Sequence, residues 1–436
     1  MPDPLNRPRV VILGGGFGGI AAAKALRRAH VAVTVIDRTN HFTFQPLLYQ
    51  VATAALAPSD ITAPIRWVLR HHRNAEVLMA EAREIDTQKQ VVRIDEGKEI
   101  PYDYLIVATG SRHAYFGHNE WEPYAPGLKA IEDASEIRRR FLLAFENAEK
   151  TDDEKEREEL LTFVIVGGGP TGVELAGAFP YIARKALSPD FRRIDTSRTR
   201  VILVEAGPRI LPTFPEGLAA RARRDLEDLG VEVRVGSFVT GVDAAGVRVG
   251  EETIRARTAF WAAGNLASPL GKFLGVPLDR AGRIAVSPDL SVPGISNVFI
   301  VGDLATLTQD GRLIPGVGPA AIQEGKAAAK NIVRDLRREP RKPFRYWNKG
   351  DLAVIGRSRA IADLGWIQFS GWFAWVFWLF VHIMYLVGFR NRVVVLTEWA
   401  YAYFTSQAGV RLITDVERYP RETAGEGGVR SGRTRI

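Results

Sequence analysis

No cysteine occurs anywhere in the 436 residues. That excludes disulfide staples, thiolate metal sites and any electron route through a dithiol. Net positive charge is also missing from most of the chain. Residues 331–436 hold 17 Lys+Arg against 9 Asp+Glu and account for the whole net charge of +8, while the rest carries 41 of each sign. From Gly371 to Phe389, "GWFAWVFWLFVHIMYLVGF", there is no Asp, Glu, Lys or Arg at all. Six of the nine tryptophans (Trp347, Trp366, Trp372, Trp375, Trp378 and Trp399) fall in the same basic C-terminal region. Cations beside Trp- and Phe-rich sequence suit an anionic lipid surface. Their scatter among apolar residues, rather than along a stripe, speaks against nucleic acid. The start, "MPDPLNRPRVVILGGG", shows no signal peptide, so a cytosolic location is the expectation.

What is present begins with glycine. The apolar run Val10 to Leu13 meets "GGGFGG" and continues into "IAAAKALRRA", which reads as strand, glycine loop and helix. In the pattern Gly14-x-Gly16-x-x-Gly19 one glycine makes the tight turn, one lets backbone approach a pyrophosphate, and one lets helix pack on strand. The phosphates then lie on the helix N-terminus. A second strand, "VAVTVID", closes at Asp37, where a carboxylate accepts from ribose hydroxyls. The unit recurs as "FVIVGGGPTGVELAGAF", with Gly167-x-Gly169-x-x-Gly172, and "VILVE" closes at Glu205. The longer spacing of this second copy reflects a surface excursion, "SPDFRRIDTSRTR". One such loop is weak evidence; two, each followed by an acid that closes a strand, predict two dinucleotide sites and an α/β fold with two Rossmann-like domains.

"YDYLIVATGS" (Tyr102–Ser111), "TAFWAAGN" (Thr258–Asn265) and "NVFIVGDLA" (Asn297–Ala305) read as strands that end in small residues and glycine. This set resembles the pyridine-nucleotide-disulfide-reductase-like flavoproteins. The resemblance implies FAD on the first loop and a nicotinamide nucleotide on the second. "NHFTFQPLLYQVATAAL" (Asn40–Leu56), "GVGPAAIQEGKAAAKNI" (Gly316–Ile332), "FRYWNKGDLAVIGRSRAIADL" (Phe344–Leu364) and the aromatic tail narrow it further. Together they are similar to the type II NADH:quinone oxidoreductases, single-subunit enzymes that do not pump protons and sit on one membrane leaflet. One departure is that the family often carries two glutamines four apart, whereas this chain has Gln323 but Pro319 at the earlier position.

The resemblance implies non-covalent FAD bound by Gly14, Gly16, Gly19, Asp37, Thr109 and Asp303, and NADH bound by Gly167, Gly169, Gly172 and Glu205. An acid at Glu205 repels a 2′-phosphate and favours NADH, with Arg209 close by as a counterweight. Glu174 is either a residue beside the nicotinamide–flavin contact or a solvated first-turn glutamate favoured by the helix dipole. Gln50, Gln323 and Lys349 are expected on the quinone side. Lys349 is either a stabiliser of developing negative charge or a surface lysine before a glycine. Glu174, Gln323 and Lys349 form the expected catalytic set; Tyr49 and Gln45 are assigned to packing or flavin contact, and His382 to a hydrogen-bonded spacer. No metal site is expected.

The chain divides as 1–115 (first part of the FAD domain), 116–265 (inserted NADH domain), 266–345 (second part of the FAD domain) and 346–436 (quinone-side and membrane-anchoring region). The run Gly371–Phe389, read as a single helix, is about 28 Å long, close to the ~30 Å bilayer core. Arginines flank it on both sides, Arg357 and Arg359 before and Arg390 and Arg392 after, so no asymmetry orients a span. Lying in one leaflet is the preferred reading, with spanning and a dimer interface as alternatives. The expected partners are a membrane quinone, an anionic lipid surface on the cytoplasmic face of the cell membrane, and a second copy of the chain. The stretch "RETAGEGGVRSGRTRI" has little apolar content and is expected to be disordered. Two other functions fit the nucleotide motifs: an NADH-dependent reductase of a soluble electron carrier, and a slow-turnover flavin-binding redox sensor.

Overall fold

The structure, a computed structural model, describes residues 7–405 and 409–413; the expected disorder of the final residues falls outside them. Val10 to Leu13 are buried on both faces, which places strand Arg9–Leu13 inside a parallel sheet. Its neighbours are Ala32–Asp37 on one side and Tyr104–Val107 on the other, with Ile12 opposite both Val35 and Ile106. Ala75–Met79 extends one edge, and Ile295–Ile300 the other. The chain thus reverses its winding direction at Arg9–Leu13, and the first glycine loop leaves the carboxyl end of that strand. In open α/β sheets this is where ligands bind. Helix Phe17–Ala25 crosses helix Gly318–Leu336 at backbone contact, since a Cβ on Gly325 would lie 2.2 Å from the Gly18 carbonyl oxygen.

The second sheet repeats the plan with Val231–Arg234, Arg200–Val204, Thr162–Val166 and Thr258–Trp261, all parallel. Helix Pro170–Tyr181 follows its glycine loop. Phe179 stacks on Phe141 of helix Ile131–Lys150 at 4.3 Å between ring centroids. The two folds are joined where Ser111–His113 pairs antiparallel with Asn265–Ala267.

The C-terminal region opens with an antiparallel sheet of Asp351–Gly356, Arg359–Asp363 and Gln368–Ser370. This sheet lies against helix Pro170–Tyr181 so closely that a Cβ on Gly177 would sit 1.5 Å from the Ile355 carbonyl oxygen. The apolar run then departs from expectation, because it is not one helix. Helix Trp372–Tyr385 ends at Leu386, which is extended, and Gly388 takes φ +91° before helix Phe389–Thr405 begins. Fourteen residues make about 21 Å, short of a bilayer core. Among the described residues no helix is long and apolar enough to cross a membrane. The inner side of the pair buries Ala374, Trp378, Ile383, Leu386 and Val395. Its outer side leaves Phe373, Phe380, Phe389 and Phe404 between 61% and 83% exposed.

Candidate active site

Two glycines of the first loop are spoken for by packing. Gly14 has φ +100°, and its Cβ would meet the Ala108 carbonyl oxygen at 2.4 Å; a Cβ on Gly19 would meet the Gly14 oxygen at 1.8 Å. Gly16 has no protein atom within 4 Å of the same position, so its backbone is open to a ligand. Asp37 accepts from the Gly15 N–H (2.6 Å), the Thr39 N–H (2.7 Å) and the Thr39 hydroxyl (2.8 Å). A carboxylate has about four acceptor sites, so one remains. The Thr109 hydroxyl is buried without a hydrogen-bond partner, a rare condition that fits a bound group. Asp303 accepts from Ser111, whose hydroxyl in turn accepts from Lys129 at 3.1 Å. Burial holds the Lys129 ammonium below its ordinary value, against the pull of Asp303. These residues fit a dinucleotide cofactor with a polar chain near its middle.

The second loop has the same construction. A Cβ on Gly167 (φ +112°) would lie 2.6 Å from the Ala262 carbonyl carbon, one on Gly172 would lie 1.9 Å from the Gly167 oxygen, and Gly169 is open. Glu205 accepts from the Gly168 N–H at 2.5 Å and the Gly207 N–H at 2.6 Å. A cavity of about 940 Å³ opens here, lined by Gly167, Gly169, Glu174 and Glu205 from the second fold and by Gln45 and Tyr49 from the first. Glu174 is half-buried on its wall, not solvated on an outer helix turn. Burial pushes its carboxyl well above the usual range, with a Val354 N–H pulling the other way. Tyr49 is buried, and burial plus the nearby Glu174 push its phenol up.

Gln50, Gln323 and Lys349 do not line this cavity. Gln50 is buried, with Nε2 donating to the Tyr49 hydroxyl (2.8 Å) and Oε1 accepting from the Trp399 indole (2.6 Å). Gln323 spends both ends of its amide on the Trp347 backbone, at 3.1 and 3.0 Å. Lys349 is exposed; its ammonium donates to the Tyr385 hydroxyl at 2.7 Å and sits 5.3 Å from the Trp347 ring centroid. Pro319 occupies the first turn of helix Gly318–Leu336, where no N–H is required. His382 hydrogen-bonds the Trp378 carbonyl through Nδ1 at 2.7 Å, and burial pulls its pKa down to about 4.

Sequence reasoning passed over Glu324, which is 4% exposed and accepts from the Gly302 N–H at 2.6 Å. Burial pushes its carboxyl up to about 7, the Gly302 N–H lowers it, and Asp303 raises it. A signal existed: Glu324 shares helical spacing with Ala320, Ala321 and Ala328, so it falls on the apolar face. Lys129 and Trp399 gave no comparable signal.

The sequence profile of the pyridine nucleotide-disulphide oxidoreductases matches residues 8–325, and that of the NDH2 C-terminal domain matches residues 348–407. The chain is 44% identical over 434 residues to the type II NADH:quinone oxidoreductase Ndh of Mycobacterium tuberculosis, covering 96% of this chain and 93% of that one. It is 45% identical to NdhA of the same organism, covering 95% and 91%. The chain belongs to the type II NADH:quinone oxidoreductases. The fold agrees with that of NDH2 from Plasmodium falciparum, solved in complex with NADH, at a TM-score of 0.85 and 21% identity over 92% of this chain and 99% of that one. A sulfide:quinone oxidoreductase from Aquifex aeolicus shares the fold less closely, at a TM-score of 0.70 and 21% identity over 96% and 100%. For this type II NADH:quinone oxidoreductase the absence of cysteine leaves no thiol through which electrons could pass.

Proposed function

We propose that the protein binds FAD on the first fold and NADH on the second, and catalyses NADH + H⁺ + quinone → NAD⁺ + quinol. The observation that carries this reading is the cavity where Glu174 and Glu205 of one fold meet Gln45 and Tyr49 of the other. A flavin held there would supply two-electron chemistry, able to take a hydride from the nicotinamide and to pass two electrons to a quinone. Gly14, Gly16 and Gly19 bring the first helix N-terminus to a pyrophosphate, Asp37 holds a ribose hydroxyl, and Thr109 and Asp303 hold the middle of the cofactor. Gly167, Gly169 and Gly172 do the same for NADH, with Glu205 on its ribose. Glu174, whose carboxyl burial pushes above the usual range, borders the nicotinamide.

The acceptor side is assigned to Gln50, Gln323 and Lys349. Lys349 supplies positive charge to an oxygen that becomes more negative as it is reduced, while Gln323 acts by fixing the Trp347 backbone next to it. The exposed phenylalanines of the two C-terminal helices, together with the basic excess of the same region, fit attachment to an anionic leaflet. A homodimer on the cytoplasmic face of the cell membrane completes the reading on the strength of the family resemblance.

The test is NADH oxidation by the purified protein in liposomes, with and without a long-chain quinone. Fast oxidation that requires the quinone supports the assignment. Fast flavin reduction with no response to quinone would leave the nucleotide sites standing and move the acceptor to a soluble carrier.

A further inference from the structure

Trp399 and Gln50 are 349 residues apart in sequence, yet the indole N–H of one donates to the amide oxygen of the other at 2.6 Å. The same amide donates through Nε2 to the Tyr49 hydroxyl oxygen at 2.8 Å. Gln50 and Tyr49 are each 8% exposed, and Tyr49 lines the cavity that holds Glu174.

Donor and acceptor chemistry fixes the direction of this chain. An indole N–H can only donate, so the atom facing it must be the amide oxygen. That forces the amide NH₂ onto Tyr49 and makes the phenol oxygen an acceptor at this contact. A phenol carries one proton of its own. With Gln50 donating, that proton is not used on Gln50, and among the described residues no acceptor for it is present within the hydrogen-bonded chain.

We propose that Trp399 is a positioning residue for acceptor reduction: by fixing the Gln50 amide it keeps the Tyr49 hydroxyl free to donate a hydrogen bond to the acceptor as it is reduced, the proton staying on the phenol. This rests on the quinone-reductase reading above. Without the indole N–H the amide can turn over, so that Oε1 accepts from Tyr49 and takes the hydrogen bond that the acceptor would receive. The contact also joins the cavity to the lipid side of the molecule. Trp399 belongs to helix Phe389–Thr405, whose outer residues Phe389, Leu396 and Phe404 are exposed.

The test uses the full-length holoenzyme in liposomes and the variants Trp399→Phe, Gln50→Met, Tyr49→Phe and the double variant Trp399→Phe/Gln50→Met. The first readout is independent of turnover. The ultraviolet resonance Raman doublet of tyrosine reports whether a phenol acts as donor or acceptor, and subtraction of Tyr49→Phe isolates this residue. Tyr49 should read as an acceptor in the native protein and shift toward donor in Trp399→Phe. The second readout is kinetic: turnover with a short-chain ubiquinone should fall about tenfold in Trp399→Phe, the scale of one lost hydrogen bond. Anaerobic flavin reduction by NADH should stay within about twofold, since that step does not use this contact. Because Gln50 itself belongs to the proposed acceptor side, the double variant is read against Gln50→Met: adding Trp399→Phe to Gln50→Met should cost no further quinone turnover, because no amide is then left to turn over. Structural damage would instead add up.

An unchanged Tyr49 signal in Trp399→Phe, or a double variant slower than Gln50→Met alone, overturns the proposal. So does an equal fall in flavin reduction and quinone turnover. If the native enzyme reduces no quinone at all, the functional reading fails, and the Raman comparison still decides the amide lock by itself.

Discussion

Asp37 and Glu205 occupy equivalent places in the two nucleotide-binding folds, and each ties down the middle glycine of its own loop. The Asp37 carboxylate takes the Gly15 N–H at 2.6 Å, and the Glu205 carboxylate takes the Gly168 N–H at 2.5 Å. The acid is 22 residues from its glycine in the first fold and 37 in the second. The same bond survives an insertion because the extra residues leave from the far end of the helix, while the strand ends that carry the site stay in register. The acid therefore shapes the loop, and in the proposed sites it has the second task of facing the ribose.

Those tasks separate in Glu205→Gln. A glutamine oxygen can still accept from one of the two N–H groups at Gly168 and Gly207, but the charge that repels a 2′-phosphate is gone. The ratio of kcat/KM for NADPH to that for NADH should rise by about tenfold or more, since removal of one like-charge contact at a partly screened site is worth on the order of 1–2 kcal/mol. Arg209, half-buried and donating to the Pro212 carbonyl, is the cation nearby in sequence for the added phosphate. An unchanged ratio would mean that discrimination lies elsewhere in the cavity.

The glycine loop offers a second separation. A methyl group at Gly19 overlaps the Gly14 carbonyl oxygen at 1.8 Å, so Gly19→Ala should destabilise the fold by about 1–3 kcal/mol or more. Gly16→Ala meets no protein atom, so it should fold normally and fail only where the cofactor comes close. Flavin absorbance per protein, measured beside the thermal midpoint, distinguishes them. Gly16→Ala should lose FAD with little change in the midpoint of the cofactor-free protein, whereas Gly19→Ala should lose both. Full FAD occupancy in Gly16→Ala would remove Gly16 from the proposed site.

How far the sequence could be read depended on how local the signal was. The two loops stood out because strand, glycines, helix and closing acid lie within one short stretch, each with its own steric reason. Glu174 was readable as a candidate, but whether it was solvated or buried depended on Tyr49 and the C-terminal sheet, which come from distant parts of the chain. The break at Gly388 was hidden because eighteen apolar or uncharged neighbours outweigh one glycine in any average over the run. Trp399–Gln50 had no sequence signal, since a pairing 349 residues apart leaves no periodicity. Gln323 and Lys349 were found by resemblance; they bond Trp347 and Tyr385 and do not line the cavity of Glu174.

Glu324 sets a pH dependence whose sign follows from its burial. Its carboxyl rises from 4.5 to about 7 in the folded protein. Between those values the native state holds a proton that the unfolded state has released. The contribution of Glu324 to stability is therefore fully present below 4.5 and is lost as pH climbs through about 7, by up to about 3 kcal/mol. Glu324→Gln keeps an oxygen for the Gly302 N–H and has no charge to bury. The variant should unfold at higher denaturant than the native protein at pH 8 and at a similar concentration at pH 4.5. Parallel curves across that range would mean that Glu324 ionises normally in the folded protein.

The outer face of the C-terminal helix pair carries the last prediction. Phe373, Phe380 and Phe404 are 74%, 61% and 83% exposed, while the opposite face is closed over Ala374, Trp378 and Val395. Replacing the three phenylalanines by serine leaves the packed face intact. Burial of a phenylalanine side chain is worth about 1.5–3 kcal/mol, so even half-immersion of three gives about 3 kcal/mol and a hundredfold change in partitioning. Flotation with anionic vesicles should drop accordingly. High salt should weaken only the part that the surrounding arginines contribute, since a screened charge term and an unscreened apolar term respond differently. Turnover with a short-chain, water-soluble quinone should hold, while turnover with a long-chain quinone dissolved in the vesicles should fall, because the acceptor then has to leave the lipid to reach the protein. If the triple variant floats as the native enzyme does, this face is not the attachment surface. Trp347 and Trp366, 70% and 83% exposed, would then be the next residues to substitute.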